Sequence, residues 1–171
     1  VAETGLPLAY INQVGGQDEL VFDGASFVVN ADGSVAVQMP VWEEAGAITE
    51  WRRDGNRWAC EPQPLAEIEQ GDAANYLACV TGLRDYVEKN GFPGVVLGLS
   101  GGIDSALCVA MAVDALGAKR VHGVMLPYTF TSNESLSDAA ETAQALGVRY
   151  DIMPIHPAVE GLTKSLASIT D

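Results

Sequence analysis

A glycine-rich octapeptide is the part of the sequence best suited to chemistry. It consists of Gly98, Leu99, Ser100, Gly101, Gly102, Ile103, Asp104 and Ser105. Gly101 and Gly102 allow backbone N–H groups to turn toward one point without a side chain in the way. A helix predicted directly after the loop adds free N–H groups and the positive end of its dipole. The octapeptide therefore predicts an anion-binding loop.

The polar side chains of this loop extend the hypothesis to phosphate and metal. Ser100 and Ser105 supply hydroxyl groups on either rim. A carboxylate at Asp104 would be repelled by a bare phosphate, so we interpret it as a ligand to Mg²⁺ that bridges phosphate oxygens. The loop has neither the closing Gly-Lys-Ser/Thr of a Walker A motif nor the G-x-G-x-x-G spacing of the dinucleotide fingerprint. A glycine turn with an N-capping residue is the structural alternative, and the strand before and helix after the loop disfavour it.

Alternating strands and helices are predicted around the loop. Residues 95–99 form a short, continuously apolar run, which is typical of a buried parallel strand. The pattern continues with a helix to Leu116, a strand over 121–126, a helix capped by Ser135, a strand over 149–155 and a helix over 158–169. Right-handed crossovers between such strands produce an α/β fold with a parallel doubly wound sheet. Ligands of these sheets bind at the carboxyl ends of the strands, where the octapeptide begins.

The first third of the chain predicts strands and turns instead. Asp32-Gly33 lies between the strand-like runs 26–30 and 35–39, which predicts a two-residue hairpin turn with positive φ at both central residues. A second turn is predicted at 54–56. Pro62 and Pro64 then mark a stiff connector. The helix that follows has one apolar face, made of Tyr76, Val80, Leu83 and Val87, and Asn90-Gly91 ends it.

The composition excludes several classes of protein. The 171 residues include 9 Lys and Arg against 23 Asp and Glu, a net charge of −14. That balance argues against binding to nucleic acid or to an anionic membrane surface. No apolar run approaches the roughly 20 residues of a bilayer span, and no signal peptide is visible. Three cysteines are too few for a disulfide framework, and we expect Cys79 and Cys108 to pack within helices of a cytoplasmic protein.

Three segments of the chain resemble one enzyme family. Residues 100–105, SGGIDS, resemble the pyrophosphate loop of the N-type ATP pyrophosphatases. Residues 126–133 followed by 135–140 are similar to the segment after the second strand of NAD synthetases. Residues 10–26 resemble the C-terminal part of a nitrilase-type glutaminase domain, which precedes the synthetase in glutamine-dependent NAD synthetases. The order of the three segments is the order that this family requires.

The resemblance implies a domain organisation and an activity. It implies the C-terminal part of a nitrilase-like α/β sandwich, present as a β-rich remnant over 1–62, a linker and helix over 63–92, and an adenine nucleotide alpha hydrolase-like sheet over 93–171. MgATP would adenylate the nicotinate carboxylate of deamido-NAD, and ammonia from glutamine would displace AMP to give NAD. Residues 98–105 would bind ATP and Asp104 would bind Mg²⁺. The enzyme would be a carbon–nitrogen ligase and a homo-oligomer.

The glutaminase chemistry does not map onto this chain. Nitrilase-type sites resemble a Glu–Lys–Cys triad whose cysteine lies on a strand-to-helix elbow, and no lysine precedes Lys89. We interpret Cys60 as structural because no base is near it in the sequence. The triad is therefore expected upstream of Val1, and no catalytic residue is assigned. The missing initiator methionine and the polar end of the sequence likewise lead us to expect a piece of a longer chain.

Several assignments and two other functions stay open at this stage. The loop over 128–134 is expected to close on the nucleotide, with Met125 or Leu126 beside the adenine, although ordinary packing is an alternative. His122 and His156 favour packing over metal binding. Another N-type ATP pyrophosphatase, tRNA-modifying or GMP synthetase-like, is a further possibility, as is a non-catalytic nucleotide-binding fragment. A tRNA-modifying enzyme would need a basic surface, which the net charge disfavours.

Overall fold

The computed structural model describes residues 1–170, except the side chains of residues 168 and 170. The chain divides into two units, of which the first is Val1–Tyr86 and the second begins at Val87. Within the described residues, no helix has the length and apolar character needed to cross a membrane. Each unit has its own sheet or sheets.

Small antiparallel sheets make up most of the first unit. Its strands are β1 (Leu8–Tyr10), β2 (Val14–Gln17), β3 (Leu20–Asp23), β4 (Phe27–Val29), β5 (Val35–Gln38), β6 (Trp51–Asp54) and β7 (Arg57–Cys60). One sheet has the order β1-β4-β5, and β2-β3 and β6-β7 each form a two-stranded hairpin. Helix α1 (Asp72–Lys89) follows them. The β-rich character predicted for this region is confirmed.

The turn between β4 and β5 differs from the prediction. The strands pair as predicted, but the connection runs over residues 30–34 and only Gly33 has a positive φ, of 86°. The Asp32 carboxylate accepts hydrogen bonds from the backbone N–H and the hydroxyl of Ser34, at 2.9 and 2.6 Å. These bonds lower the pKa of Asp32. The prediction of a two-residue turn was wrong because this side chain closes a longer loop.

Cys60 lies in the hydrophobic core of the first unit. The core consists of Val28, Ala36, Val37 and Cys60, with Met39 packed against it. The Asn30 side chain accepts a hydrogen bond from the Cys60 N–H at 2.8 Å and donates one to its carbonyl at 3.0 Å. The Asn30 side-chain amide thus satisfies both backbone groups of Cys60, as a neighbouring β-strand would. This environment fits the interpretation of Cys60 as a structural residue.

Helix α1 agrees with its predicted apolar face. Val80 and Val87 are buried, and the helix ends before Gly91, which has a φ of 68°. Cys79 of this helix is exposed, as is Cys108 further along the chain. The prediction that these two cysteines pack inside was therefore wrong. It rested on residue type, and both cysteines lie on exposed sides of their helices.

A three-stranded parallel sheet organises the second unit. The elements in order are β8 (Val95–Gly98), α2 (Ile103–Leu116), a 3₁₀ turn (Ala118–Arg120), β9 (Val121–Met125), α3 (Asn133–Leu146), β10 (Arg149–Ile152) and α4 (His156–Thr170). The sheet order is β10-β9-β8. Helices α2 and α3 connect these strands, and both pack against β9. The predicted α/β class with a parallel sheet and flanking helices is confirmed.

Helix α3 begins earlier than the sequence predicted. The N-cap is Ser132, whose hydroxyl accepts a hydrogen bond from the Ser135 N–H at 3.0 Å. Ser135 was predicted as the cap, but it lies three residues later, inside the first turn. Serine occurs at both positions, and only Ser132 has the extended backbone that an N-cap needs. Gly147 ends the helix in the left-handed conformation, with a φ of 67°.

Candidate phosphate-binding site

The octapeptide begins where β8 ends. Gly98 is the last residue of the strand, and the Leu99 N–H continues the ladder by donating to the Val124 carbonyl at 3.0 Å. The Leu99 side chain is only 1% exposed. It therefore anchors the loop in the core of the second unit.

Two serine side chains hold the loop in shape. The Ser105 hydroxyl accepts a hydrogen bond from the Ser100 N–H at 3.1 Å and donates one to the Gly102 carbonyl at 2.9 Å. The Ser100 hydroxyl accepts from the Gly102 N–H at 3.3 Å and lies 3.1 Å from the Ser105 hydroxyl. The sequence predicted two hydroxyls on opposite rims. The structure instead joins them across the loop, where they fix its backbone.

In the described part of the structure, the first turn of α2 has backbone N–H groups without an acceptor from a capping side chain. Gly102 is the N-cap, with an extended backbone (φ −82°, ψ 155°), and within the described chain no side chain caps this end. The first N–H groups of an α-helix have no intrahelical acceptor, so those of Ile103 and Asp104 are available to an anion. Asp104 lies in the same turn and is exposed.

Gly101 packs against the start of α3. Its φ is 85°, in the region that favours glycine. A Cβ atom on Gly101 would lie 2.9 Å from the Ser135 Cα and closer still to the Ser135 carbonyl oxygen. A Cβ on Gly102 would lie 3.5 Å from the nearest atom, the Ser100 hydroxyl oxygen, which is an ordinary contact. The structure thus requires glycine at position 101, whereas neither the φ nor the packing of the protein alone requires it at position 102.

A cleft of about 400 Å³ opens beside the loop, at the carboxyl ends of β8 and β9. Its lining residues are Gly98, Leu99, Ser100, Val124, Met125, Leu126, Phe130, Thr131, Ser132 and Ser135. Ligands of open parallel sheets bind at this edge, outside the carboxyl ends of the strands. Met125 and Leu126, which the sequence placed beside the adenine, both line this cleft. Phe130 is 91% exposed, so its ring is free to contact a ligand.

Sequence reasoning missed two contacts at this site. It did not find the Val124 carbonyl as the acceptor for Leu99, nor the packing of Ser135 on Gly101. Both depend on how β8, β9 and α3 lie beside each other in the fold. No local pattern in the sequence signals either contact.

The donors of the site can hold Mg²⁺ only with help from phosphate. Within residues 1–170, no three His, Cys, Asp or Glu side chains come together to form a metal site. Mg²⁺ is commonly bound by one or two carboxylates together with phosphate oxygens and water. Asp104 at the mouth of an anion-binding helix end fits that arrangement.

The two histidines have carboxylate neighbours that the sequence did not indicate. His122 Nε2 lies 2.7 Å from Asp151 Oδ2, and Arg149 also contacts this oxygen. Hydrogen bonds from His122 and Arg149 lower the pKa of Asp151. The His156 ring stacks on Tyr128, with ring centroids 5.6 Å apart. The structure thus places each histidine against a neighbouring side chain.

A protein-family model described as NAD synthase matches residues 75–170, more than half of the chain. The chain belongs to the NAD synthase family. A glutamine-dependent NAD(+) synthetase from Rhodobacter capsulatus is 55% identical over 168 residues. This match covers 94% of the chain and 30% of the relative, so the chain spans about 30% of the length of the curated relatives it matches.

Two solved structures of NAD synthetases cover different shares of the chain. The glutamine-dependent NAD+ synthetase from Acinetobacter baumannii, in complex with ADP, is 48% identical with a TM-score of 0.91. It covers 98% of this chain, which covers 31% of that protein. An NH3-dependent NAD synthetase from Campylobacter jejuni, in complex with nitrate, is 28% identical with a TM-score of 0.52. It covers 56% of this chain, about the share that residues 75–170 make up, and the chain covers 42% of it.

Proposed function

We propose that this chain carries the ATP site of a glutamine-dependent NAD synthetase. The reaction is the ATP-dependent amidation of deamido-NAD to NAD, through an adenylated nicotinate carboxylate and with ammonia from glutamine. One observation carries the proposal. The strand–loop–helix unit at residues 98–105 lies inside the segment matched by the NAD synthase family, at the carboxyl end of a parallel strand. Similarity to glutamine-dependent relatives over nearly the whole chain supports the nitrogen source.

The loop binds the phosphates of ATP in this proposal, with Gly98 to Ser105 as the binding residues. Backbone N–H groups at Ile103 and Asp104 face the anion, together with the positive end of the α2 dipole. Gly102 leaves space for a phosphate oxygen, and Ser100 and Ser105 hold the backbone in place. Donors fixed before the reaction stabilise the negative charge that develops on the departing pyrophosphate. The adenine would lie in the cleft beside Met125 and Leu126.

Asp104 is the Mg²⁺ ligand of the proposed site. When bound, the ion neutralises charge on the phosphate oxygens. Asp104 lies one residue after the first residue of α2, so its carboxylate stands at the rim of the anion site. Without the ion, that carboxylate would repel phosphate. Its exposure allows it to reach a phosphate-bound ion without leaving the helix.

Glutamine hydrolysis is assigned to residues outside this chain. We assign residues 1–62 to the end of a nitrilase-like domain, 63–92 to a linker and helix, and 93–171 to the synthetase domain. Burial and the nearby Glu61 raise the pKa of the Cys60 thiol, which opposes a role as nucleophile. A cytoplasmic location belongs to the same proposal, supported by the unpaired cysteines, and a homo-oligomer is what the family resemblance implies.

ATP–pyrophosphate exchange tests the proposed function in a full-length enzyme that carries this sequence. We expect exchange that requires both Mg²⁺ and deamido-NAD. Asp104→Asn should reduce the exchange by at least the roughly 10- to 100-fold that loss of a group supporting a metal ligand costs. Asp138→Asn is the matched control, because Asp138 is an exposed carboxylate on α3 outside the cleft lining.

Two results would contradict the proposal. Exchange that proceeds without deamido-NAD would point to a different acceptor and to another ATP pyrophosphatase. Equal exchange rates for Asp104→Asn and Asp138→Asn, at saturating ATP and at limiting Mg²⁺, would remove Asp104 from the metal site. Circular dichroism of both variants establishes that neither change unfolds the protein.

A further inference from the structure

The β2–β3 hairpin and helix α1 meet backbone to backbone. A Cβ atom on Gly16 would lie 3.2 Å from the Gly82 Cα and 3.3 Å from the Asp85 Cβ. A Cβ on Gly82 would lie 3.1 Å from a methyl group of Val21. Neither glycine has a positive φ, so each is suited to its position by size and not by backbone conformation. All these residues lie within the first unit.

A hydrogen bond from the hairpin to a carboxylate fastens this contact. The Gly16 N–H donates to Asp85 Oδ2 at 2.8 Å. The Asp85 side chain is only 17% exposed, and its other oxygen accepts from Arg84 Nε at 3.2 Å. Gly16 is buried. A hydrogen bond to a partly buried carboxylate is among the stronger polar interactions in a protein. We call Gly16, Gly82 and Asp85 the hairpin–helix clamp.

The next turn of α1 makes a second set of contacts, within the second unit. Glu88 forms an ion pair with Arg120, which also donates to the carbonyls of Phe92 at 2.8 Å and Pro93 at 3.0 Å. Gly94 approaches Arg120 so closely that a Cβ would lie 3.2 Å from the Arg120 Cα. The end of α1 is thereby attached to the residues that begin β8 and β9.

The members of the hairpin–helix clamp lie on both sides of the start of the family match. Gly82 and Asp85 lie inside the segment matched by the NAD synthase family, which starts at residue 75. The hairpin, over residues 14–23, lies before that segment. The glutamine-dependent structure covers 98% of this chain, whereas the NH3-dependent structure covers 56%, about the share of the matched segment. The carboxylate therefore belongs to the synthetase segment, and its partner amide lies before that segment.

We propose that the hairpin–helix clamp couples glutamine hydrolysis to NAD synthesis, an inference that rests on the proposed function. Its three members are positioning residues and contact no substrate. Close-packed contacts adopt discrete arrangements and do not deform continuously, so the hairpin stays fixed to the first helix of the synthetase segment. Opening the clamp leaves both partial reactions intact but reduces the use of glutamine-derived ammonia. A merely structural contact would lower all activities together.

The experiment compares three rates in a full-length enzyme that carries this sequence. They are glutamate release from glutamine, NAD formation from ammonium, and NAD formation from glutamine. Gly16→Ala introduces a Cβ against the α1 backbone, and Asp85→Ala removes the acceptor of the Gly16 N–H. Asp85→Asn retains an acceptor oxygen and should restore coupling. Gly46→Ala is the matched control, because Gly46 has an ordinary φ and no neighbour within 4 Å of its Cβ position.

We expect the ratio of glutamine-supported to ammonium-supported NAD formation to fall in Gly16→Ala and Asp85→Ala. The fall should be about fivefold or more, because fivefold is the lower end of typical coupling between two sites. The ratio should stay near the wild-type value in Asp85→Asn and Gly46→Ala. If Gly16→Ala fails to fold, Gly82→Ala replaces it, because its Cβ meets only a side-chain methyl group.

An unchanged ratio in Gly16→Ala and Asp85→Ala would overturn the inference, as would a parallel loss of all three rates. The proposed function would stand in both cases, provided that the wild-type enzyme forms NAD from ammonium. If the wild-type enzyme forms NAD from neither nitrogen source, the proposed function fails and the clamp has nothing to couple. The two failures are therefore distinguishable.

Discussion

Replacing Gly101 with alanine should disrupt the phosphate loop far more than the same change at the adjacent Gly102. The φ of Gly101 is 85°, a region that costs an alanine about 1 to 3 kcal/mol. Its Cβ would also lie 2.9 Å from the Ser135 Cα and closer still to the Ser135 carbonyl oxygen, so α3 would have to retreat by about 1 Å to reach an ordinary contact. Overpacking of that kind costs about 1 to 3 kcal/mol more.

These terms together predict a loss of about 2 to 6 kcal/mol for Gly101→Ala. That is a large part of the roughly 5 to 15 kcal/mol that stabilises a typical domain. Gly102 has an ordinary φ of −82°, and its Cβ position is free of close contacts. Gly102→Ala should therefore change the local stability by no more than about 1 kcal/mol, mainly through the weaker capping by alanine.

Amide hydrogen exchange measures this difference directly in the full-length protein. Peptides covering residues 98–116 and 132–146 should exchange much faster in Gly101→Ala, because the loop and the start of α3 lose their contact. Gly102→Ala should exchange like the wild type but bind ADP more weakly, since its Cβ takes space that the proposed phosphate requires. Equal exchange in the two variants would refute the packing of Gly101 on Ser135. Unchanged ADP affinity in Gly102→Ala would argue against a phosphate at this point.

Three further changes test other parts of the structure. Asn30→Ala removes both hydrogen bonds to the Cys60 backbone and should lower the free energy of unfolding of the first unit by about 2 to 4 kcal/mol, measured by hydrogen exchange. Cys60→Ala should cost about 1 kcal/mol and leave glutamine hydrolysis unchanged, and in the native wild type Cys60 should resist alkylation by iodoacetamide. Because hydrogen bonds from His122 and Arg149 lower the pKa of Asp151, its ionised form stabilises the fold above the ordinary aspartate pKa, about 4. Asp151→Asn should therefore melt earlier than the wild type at pH 7, and the difference should shrink as the pH falls below about 4; a difference independent of pH would contradict the assignment.

Patterns confined to neighbouring residues were sufficient for much of the fold. The apolar run at 95–99, the face of α1 and the alternation of strands and helices each depend on periodicities of a few residues, and the structure confirms them. The octapeptide at 98–105 was found the same way, because its donors come from one continuous strand–loop–helix segment. Local patterns did not identify the N-cap of α3, because Ser132 and Ser135 are both suitable residue types and only the backbone conformation distinguishes them.

The amino-acid sequence by itself determined that the second half of the chain is a parallel α/β unit with a glycine-rich loop at a strand end. Only the tertiary structure decided which distant residues complete that loop and the rest of the fold. The contact between Gly101 and Ser135, the pairing of Asn30 with Cys60, and the packing of Gly16 on Gly82 each join residues 30 or more positions apart. At positions 16, 82 and 101 glycine fits because packing brings a neighbour close. No local pattern encodes such a neighbour, because it depends on strand register and helix placement across the whole unit.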